Sequence, residues 1–126
     1  SVRGLSAPIS ALSHREGIVS PAYTVCSPNI YADPEFMAYF FKFHPTVHLF
    51  WRYSQGMVSD TLNLKFHNFA EITVTIPRHD EQRAIANVLQ TVDNEIKLLE
   101  RKLTALEKQK RGLMQKLLTG EVRVKT

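Results

Sequence analysis

From Ile85 to Leu117 apolar residues fall at Ile85, Leu89, Val92, Ile96, Leu99, Leu103, Leu106, Leu113 and Leu117, in alternating steps of four and three. Lys110 fills the one place where the pattern would otherwise break. A repeat of 3.5 residues held over more than four heptads is the signature of a left-handed coiled coil. It predicts one long helix over 80–118, opened by Asp80 as N-cap and closed by Lys116 and then Gly120. At 1.5 Å per residue such a helix spans roughly 58 Å. A helix of that length with an apolar stripe along one side requires a partner helix. Asp93, Glu95, Glu100, Lys102, Glu107 and Lys116 flank the stripe, where interhelical ion pairs select a partner. Glu107 and Arg111 add an acid-to-base pair one turn apart, and Gly112 weakens the helix locally.

In a chain of 126 residues this helix leaves about eighty for a globular core, near the lower limit for a core that stabilises itself. The division expected is therefore residues 1–79 as a small domain, 80–119 as the long helix and 120–126 as a short tail. The domain reads as mixed α and β. Short strands are expected at Val2–Leu5, Ile9–Leu12 and Ala22–Cys26, with a turn at Glu16-Gly17. Asp33-Pro34-Glu35 combines an N-cap acid, a proline at the first helical position and an acid in the first turn, so a helix starts there. His44-Pro45 interrupts it, and Val47 to Trp51 restart a second one. Ser54-Gln55-Gly56 is a loop, Leu62 and Leu64 a short strand, and Phe69-Ala70-Glu71 a helical turn. Ile72, Val74 and Ile76 alternate with threonines as a strand that Pro77 ends. Glu121 to Lys125 is a further short strand. The fold class expected is α+β followed by one long coiled-coil helix.

Composition narrows the chemistry. The single cysteine, Cys26, excludes an internal disulfide and a Cys-rich zinc site, and points to a reducing, cytoplasmic setting. No apolar run reaches the length of a membrane span, and the N-terminus has no signal-peptide pattern. The net charge of +4 is spread out: eight basic and six acidic residues lie in 80–118, and the same numbers lie outside it. Charge thus permits nucleic-acid binding without marking a stripe for it. His44 and His48 have the i,i+4 spacing of two metal ligands, the basis for a small metal hydrolase. Pro45 and the missing intervening glutamate argue against that reading, and no metal or catalytic site is expected. Cys26 has no nearby group to activate it. Phe36 to Phe43, Phe50 and Trp51 form no base-stacking platform with interleaved basic residues, and are expected in the core.

The segment from Gly56 onward carries a recognisable order: Gly56, Leu62 and Leu64, Phe69 and Glu71, then Ile72 to Pro77. Glu81-Gln82-Arg83-Ala84-Ile85, Lys110-Arg111-Gly112-Leu113-Met114 and Leu117-Leu118-Thr119-Gly120 complete it. Gly17-Ile18-Val19-Ser20-Pro21-Ala22-Tyr23 and Asp33-Pro34-Glu35 fit the same scheme upstream. Together these resemble the specificity subunit of type I restriction-modification systems. Arg78-His79-Asp80 departs from the Pro-Leu that the family usually has before Glu-Gln. The recognition domains of the family also begin well upstream, so the domain here is expected to be truncated.

The resemblance implies a non-enzymatic protein. Two target-recognition domains, each followed by a long helix, would read a bipartite target in double-stranded DNA. The two helices would pair antiparallel as a ruler and dock methyltransferase subunits, and through these the restriction subunits. The partner helix would come from a second copy or from a missing half. No cofactor is expected on this chain, since S-adenosylmethionine, ATP and Mg²⁺ would belong to those partners. The candidate DNA contacts are polar and basic loop residues: Lys42, Arg52, Ser54, Gln55, Gly56, Ser59 and Lys65. A solvated loop is the plain alternative for each. The alternative for the whole chain is a coiled-coil assembly module, or a gene remnant, that binds no DNA itself.

Overall fold

The computed structural model describes residues 10–18, 24–54 and 64–125. The chain divides into two units, Ser1–Ala86 and Asn87–Thr126. Four helices run through them: α1 (Pro34–Phe40), α2 (His44–Tyr53), α3 (Phe66–Ala70) and α4 (His79–Leu118).

In the first unit α1 starts as its sequence dictates. The Asp33 carboxylate accepts a hydrogen bond from the Phe36 N–H at 2.9 Å, with Pro34 at the first helical position. The second helix begins at His44, earlier than the restart expected at Val47. Pro45 stands in its first turn, where a missing N–H costs nothing, so the proline opens the helix instead of merely ending the one before. Aromatic rings join the three short helices. Phe41 meets Phe50 edge-on at 5.3 Å and Phe69 edge-on at 6.0 Å, and Phe50 lies 5.8 Å from Phe69. Phe36 stacks on Phe40 at 5.7 Å. Phe36 and Phe50 are buried, whereas Phe43 and Trp51 are exposed, so the aromatic segment is core on one side only. The buried Asn68 ties α3 to the end of α2 through a 3.0 Å bond from its side-chain amide to the Tyr53 carbonyl.

The expected α+β class is not what forms. Among the described residues there is no strand and no ladder. Ile72 to Ile76 keeps the alternation that suggested one: Ile72, Val74 and Ile76 are half-buried and Thr73 and Thr75 exposed. A period of two specifies an extended segment with one covered face; a strand needs in addition a second extended segment for its backbone groups to pair with. None of the described segments supplies it. Thr24 to Cys26 is likewise irregular and exposed, held instead by a 3.0 Å bond from the Thr24 hydroxyl to the Leu64 carbonyl. Ser10 to Leu12 and Arg123 to Lys125 have no regular structure. Around the expected Glu16-Gly17 turn the chain bends at Arg15, whose carbonyl accepts a bond from the Ser13 hydroxyl at 2.8 Å. The segments expected at Val2–Leu5 and Leu62 lie outside the described residues.

The long helix is the element that the sequence specified most completely. It covers His79–Leu118, 40 residues, or roughly 60 Å. It begins one residue before the expected cap, so Asp80 and Glu81 occupy the first turn, where their charge complements the positive end of the helix dipole. Its C-terminus closes on Gly120, whose φ of 76° is the left-handed conformation that glycine adopts without strain. The Gly120 N–H donates to the Leu117 carbonyl at 3.3 Å and the Val122 N–H to the Lys116 carbonyl at 3.1 Å. Thr91, Thr104 and Thr119 each donate a hydroxyl bond to the carbonyl four residues back, so they satisfy themselves within the helix.

Candidate nucleic-acid interface and helix-pairing face

Where α4 begins, Gln82 is fully buried. Its side-chain oxygen accepts from the Asp33 N–H at 2.8 Å. Its side-chain nitrogen donates to the Tyr31 carbonyl at 3.0 Å and to the Pro77 carbonyl at 2.8 Å. Both amide hydrogens and the oxygen are thereby used, so a polar side chain is buried without a desolvation penalty left over. The three bonds fasten the first turn of α4 to the turn that starts α1 and to the segment that leads into α4. Ala86, one turn on, is also buried and Ile85 half-buried. Sequence reasoning noted Gln82 only as half of a Glu-Gln pair and gave it no role. The available signal was a glutamine on the same helical stripe as Ile85 and Leu89, where an apolar residue would be expected.

Beyond Ala86 the stripe is uncovered. Leu89 is 38% exposed, Ile96 47%, Leu103 58% and Leu117 42%, and Val92, Leu99, Leu106 and Leu113 are exposed as well. Near its C-terminal end, Leu106, Leu113, Met114 and Leu117 line a shallow apolar groove beside Lys110. A row of leucines in water at this spacing leaves unrecovered the hydrophobic free energy that burial would return.

The candidate DNA contacts separate into groups. Arg52 is exposed in the last turn of α2, and Lys65 is exposed at the N-cap of α3. Since α2 and α3 pack together through Phe50, Phe69 and Asn68, these two cations share one end of the helix pair. Ser54 also lies there, but its hydroxyl donates to the Phe50 carbonyl at 2.7 Å and caps α2. Lys42 is exposed in the turn between α1 and α2, at the opposite end of α2 from Arg52. Gln55, Gly56 and Ser59 lie outside the described residues. Trp51, exposed beside Arg52, was expected in the core and is instead part of this surface.

The groups that suggested other chemistry are placed as follows. The His44 and His48 rings meet edge-to-face at 4.5 Å, and among the described residues no cluster of three or more His, Cys, Asp or Glu side chains forms. His14 lies 3.7 Å from Glu35 at the surface. Cys26 borders a cavity of about 290 Å³ that Leu12, Met37, Phe41 and Phe69 also line. Partial burial raises its thiol pKa, which leaves less thiolate at neutral pH and is the opposite of activation. No described helix is long and apolar enough to cross a membrane.

The sequence profile of the type I restriction modification DNA specificity domain matches residues 7–108, most of the chain. The chain belongs to that family. It is similar to the type I restriction enzyme MjaVIII specificity subunit of Methanocaldococcus jannaschii, at 39% identity over 54 residues. The putative type I restriction enzyme MjaX specificity subunit of the same organism is 40% identical over 55 residues. The aligned segments are 43% and 44% of this chain and 13% of each relative, so the chain spans a small part of their length. No solved structure matches. The resemblance drawn from the order of motifs between Gly17 and Gly120 thus led to this family.

Proposed function

We propose that this chain is part of a subunit that gives a restriction-modification complex its DNA sequence specificity. In this reading the segment 1–79 is the end of a target-recognition domain, 80–119 is the spacer helix and 120–126 a tail. The domain reads one half of a bipartite site in double-stranded DNA. The helix sets the distance to the other half and docks methyltransferase subunits, which carry the chemistry and in turn bring the restriction subunits. The chain itself needs no catalytic group and no cofactor.

The observation that carries this reading is membership of the specificity-domain family joined to a 40-residue helix with an uncovered heptad stripe. Arg52 and Lys65 at one end of the α2–α3 pair are the best-supported cations for phosphate or base contact. The uncovered stripe alone also suits a coiled-coil assembly module that binds no DNA. A gel shift with the full-length subunit, with and without methyltransferase subunits, separates the two readings. Retention of a specific duplex over a scrambled competitor is the expected result. Equal retention of both duplexes, or of neither, would leave only the assembly role.

A further inference from the structure

Of the five histidines, only His44 and His48 stand within one helical turn of each other in sequence. Pro45 between them argues against a pair on sequence grounds, and the structure removes that objection. Pro45 lies in the opening turn of α2, so both histidines belong to the helix, four residues apart on one face. Their ring centroids are 4.5 Å apart, and both residues are exposed. Thr46 and Phe50 are the buried residues of α2, so the two imidazoles are not part of the core.

Exposed imidazoles at this separation can turn about their Cβ–Cγ bonds and each bring a nitrogen to about 2.0–2.1 Å from one ion. The glutamate that a hydrolase would place between them is missing, which bears on catalysis and not on binding. No acidic residue occurs anywhere in α2, and this selects the cation. Mg²⁺ and Ca²⁺ need oxygen ligands, whereas imidazole suits Cu²⁺, Ni²⁺ and Zn²⁺. Among the described residues no third His, Cys, Asp or Glu joins the pair, so water would fill the remaining positions. Arg52, one turn beyond His48, opposes the ion by like charge and keeps the affinity modest.

We propose that His44 and His48 form a bidentate, non-catalytic site for a divalent transition-metal ion that staples the first two turns of α2. A helix of 10 residues is marginal by itself. An ion that binds the folded helix and not the unfolded chain stabilises it by mass action. The staple thereby firms the helix whose last turn carries Arg52.

A Cu²⁺ titration of the whole chain tests this, in a Cys26→Ser background that removes the one thiol ligand. Trp51, the single tryptophan, lies three residues after His48, so quenching of its fluorescence reports an ion on the pair. His44→Ala and His48→Ala should each raise the Cu²⁺ concentration for half-quenching by roughly tenfold or more, because the second imidazole binds intramolecularly. Zn²⁺ should compete with Cu²⁺ and Mg²⁺ should not. Zn²⁺ should also raise the thermal midpoint of the background chain and not of either histidine variant, with helix content checked by circular dichroism. Half-quenching that neither substitution moves, or that only one moves, would overturn the proposal, since the ion would then sit elsewhere or on a single histidine. A midpoint that Zn²⁺ leaves unchanged in the background chain would overturn the staple. Each of these failures leaves the DNA-specificity reading standing.

Discussion

The side-chain oxygen of Gln82 accepts a hydrogen bond from the Asp33 N–H at 2.8 Å, while the Asp33 carboxylate caps α1 by accepting from Phe36. One residue thus starts a short helix and receives the anchor of the long one. The fold of the first unit depends on this meeting because few apolar side chains are fully buried there: Phe36, Phe50 and Ala86 among the described residues.

Replacing Gln82 with leucine would leave the Asp33 N–H and the Tyr31 and Pro77 carbonyls without their partner. Each part-buried bond lost costs about 1 kcal/mol, so a loss of about 3 kcal/mol is expected. Gln82→Glu keeps the acceptor but loses both donated bonds, and should destabilise by a similar amount at neutral pH. Trp51, the single tryptophan, lies on α2 and reports unfolding of this unit in a urea titration. An unchanged midpoint in both variants would show that the bracket is not holding the unit together.

Neighbouring aromatic residues on α2 should behave in opposite ways. Phe50 is buried against Phe41 and Phe69, and Phe50→Ala should cost about 3–5 kcal/mol by leaving a cavity. Trp51 is 47% exposed, and Trp51→Ala should change stability by only about 0.5 kcal/mol. Thermal melts followed by circular dichroism compare the pair, and similar melting temperatures would contradict the assigned core.

The Cys26 thiol should react slowly. Its pKa is raised by partial desolvation, so the proton is held more tightly in the folded chain than in the unfolded one. Alkylation by iodoacetamide at pH 7 is expected to be slower than in urea. Its pH profile should have a midpoint above that of the unfolded chain. Any stability linked to this proton is present below the unfolded pKa and lost as pH rises through the folded value. Faster alkylation in the folded state would mean an activated thiol and reopen the question of chemistry at Cys26.

Arg52 and Lys65 make a prediction about salt. If they contact phosphates, Arg52→Ala and Lys65→Ala should each weaken binding to all duplexes and lower the slope of log affinity against log salt by about 1. If Arg52 reads a base edge, its loss should also relax specificity at one position of the target. Fluorescence anisotropy of the full-length subunit in its complex measures both effects. Slopes that do not move would take the α2–α3 end out of the interface.

What the sequence disclosed follows from where the information is local. The α4 seam and the Asp33 cap depend on neighbours within one or two turns, so spacing and residue type specify them, and α1 and α4 lie close to where they were expected; α3, expected as a turn at Phe69-Ala70-Glu71, begins three residues earlier at Phe66 and ends at Ala70. The strands were not legible in the same way. Ile72 to Ile76 has the burial pattern of a strand, but pairing requires a second segment that local sequence cannot guarantee. Gln82 was overlooked for the same reason: two of its three partners lie about fifty residues away in the chain. Trp51 was misplaced because helical spacing marks a face without telling how wide the covered part is.

The decisive property is whether this chain brings sequence specificity to a larger complex. The most direct measurement is selection from a random duplex pool by methyltransferase subunits, assembled with and without the full-length subunit that contains it, followed by sequencing of the retained DNA. Enrichment of one two-part motif, seen only when the subunit is present, is the result predicted. The same enrichment profile with and without it would contradict the account.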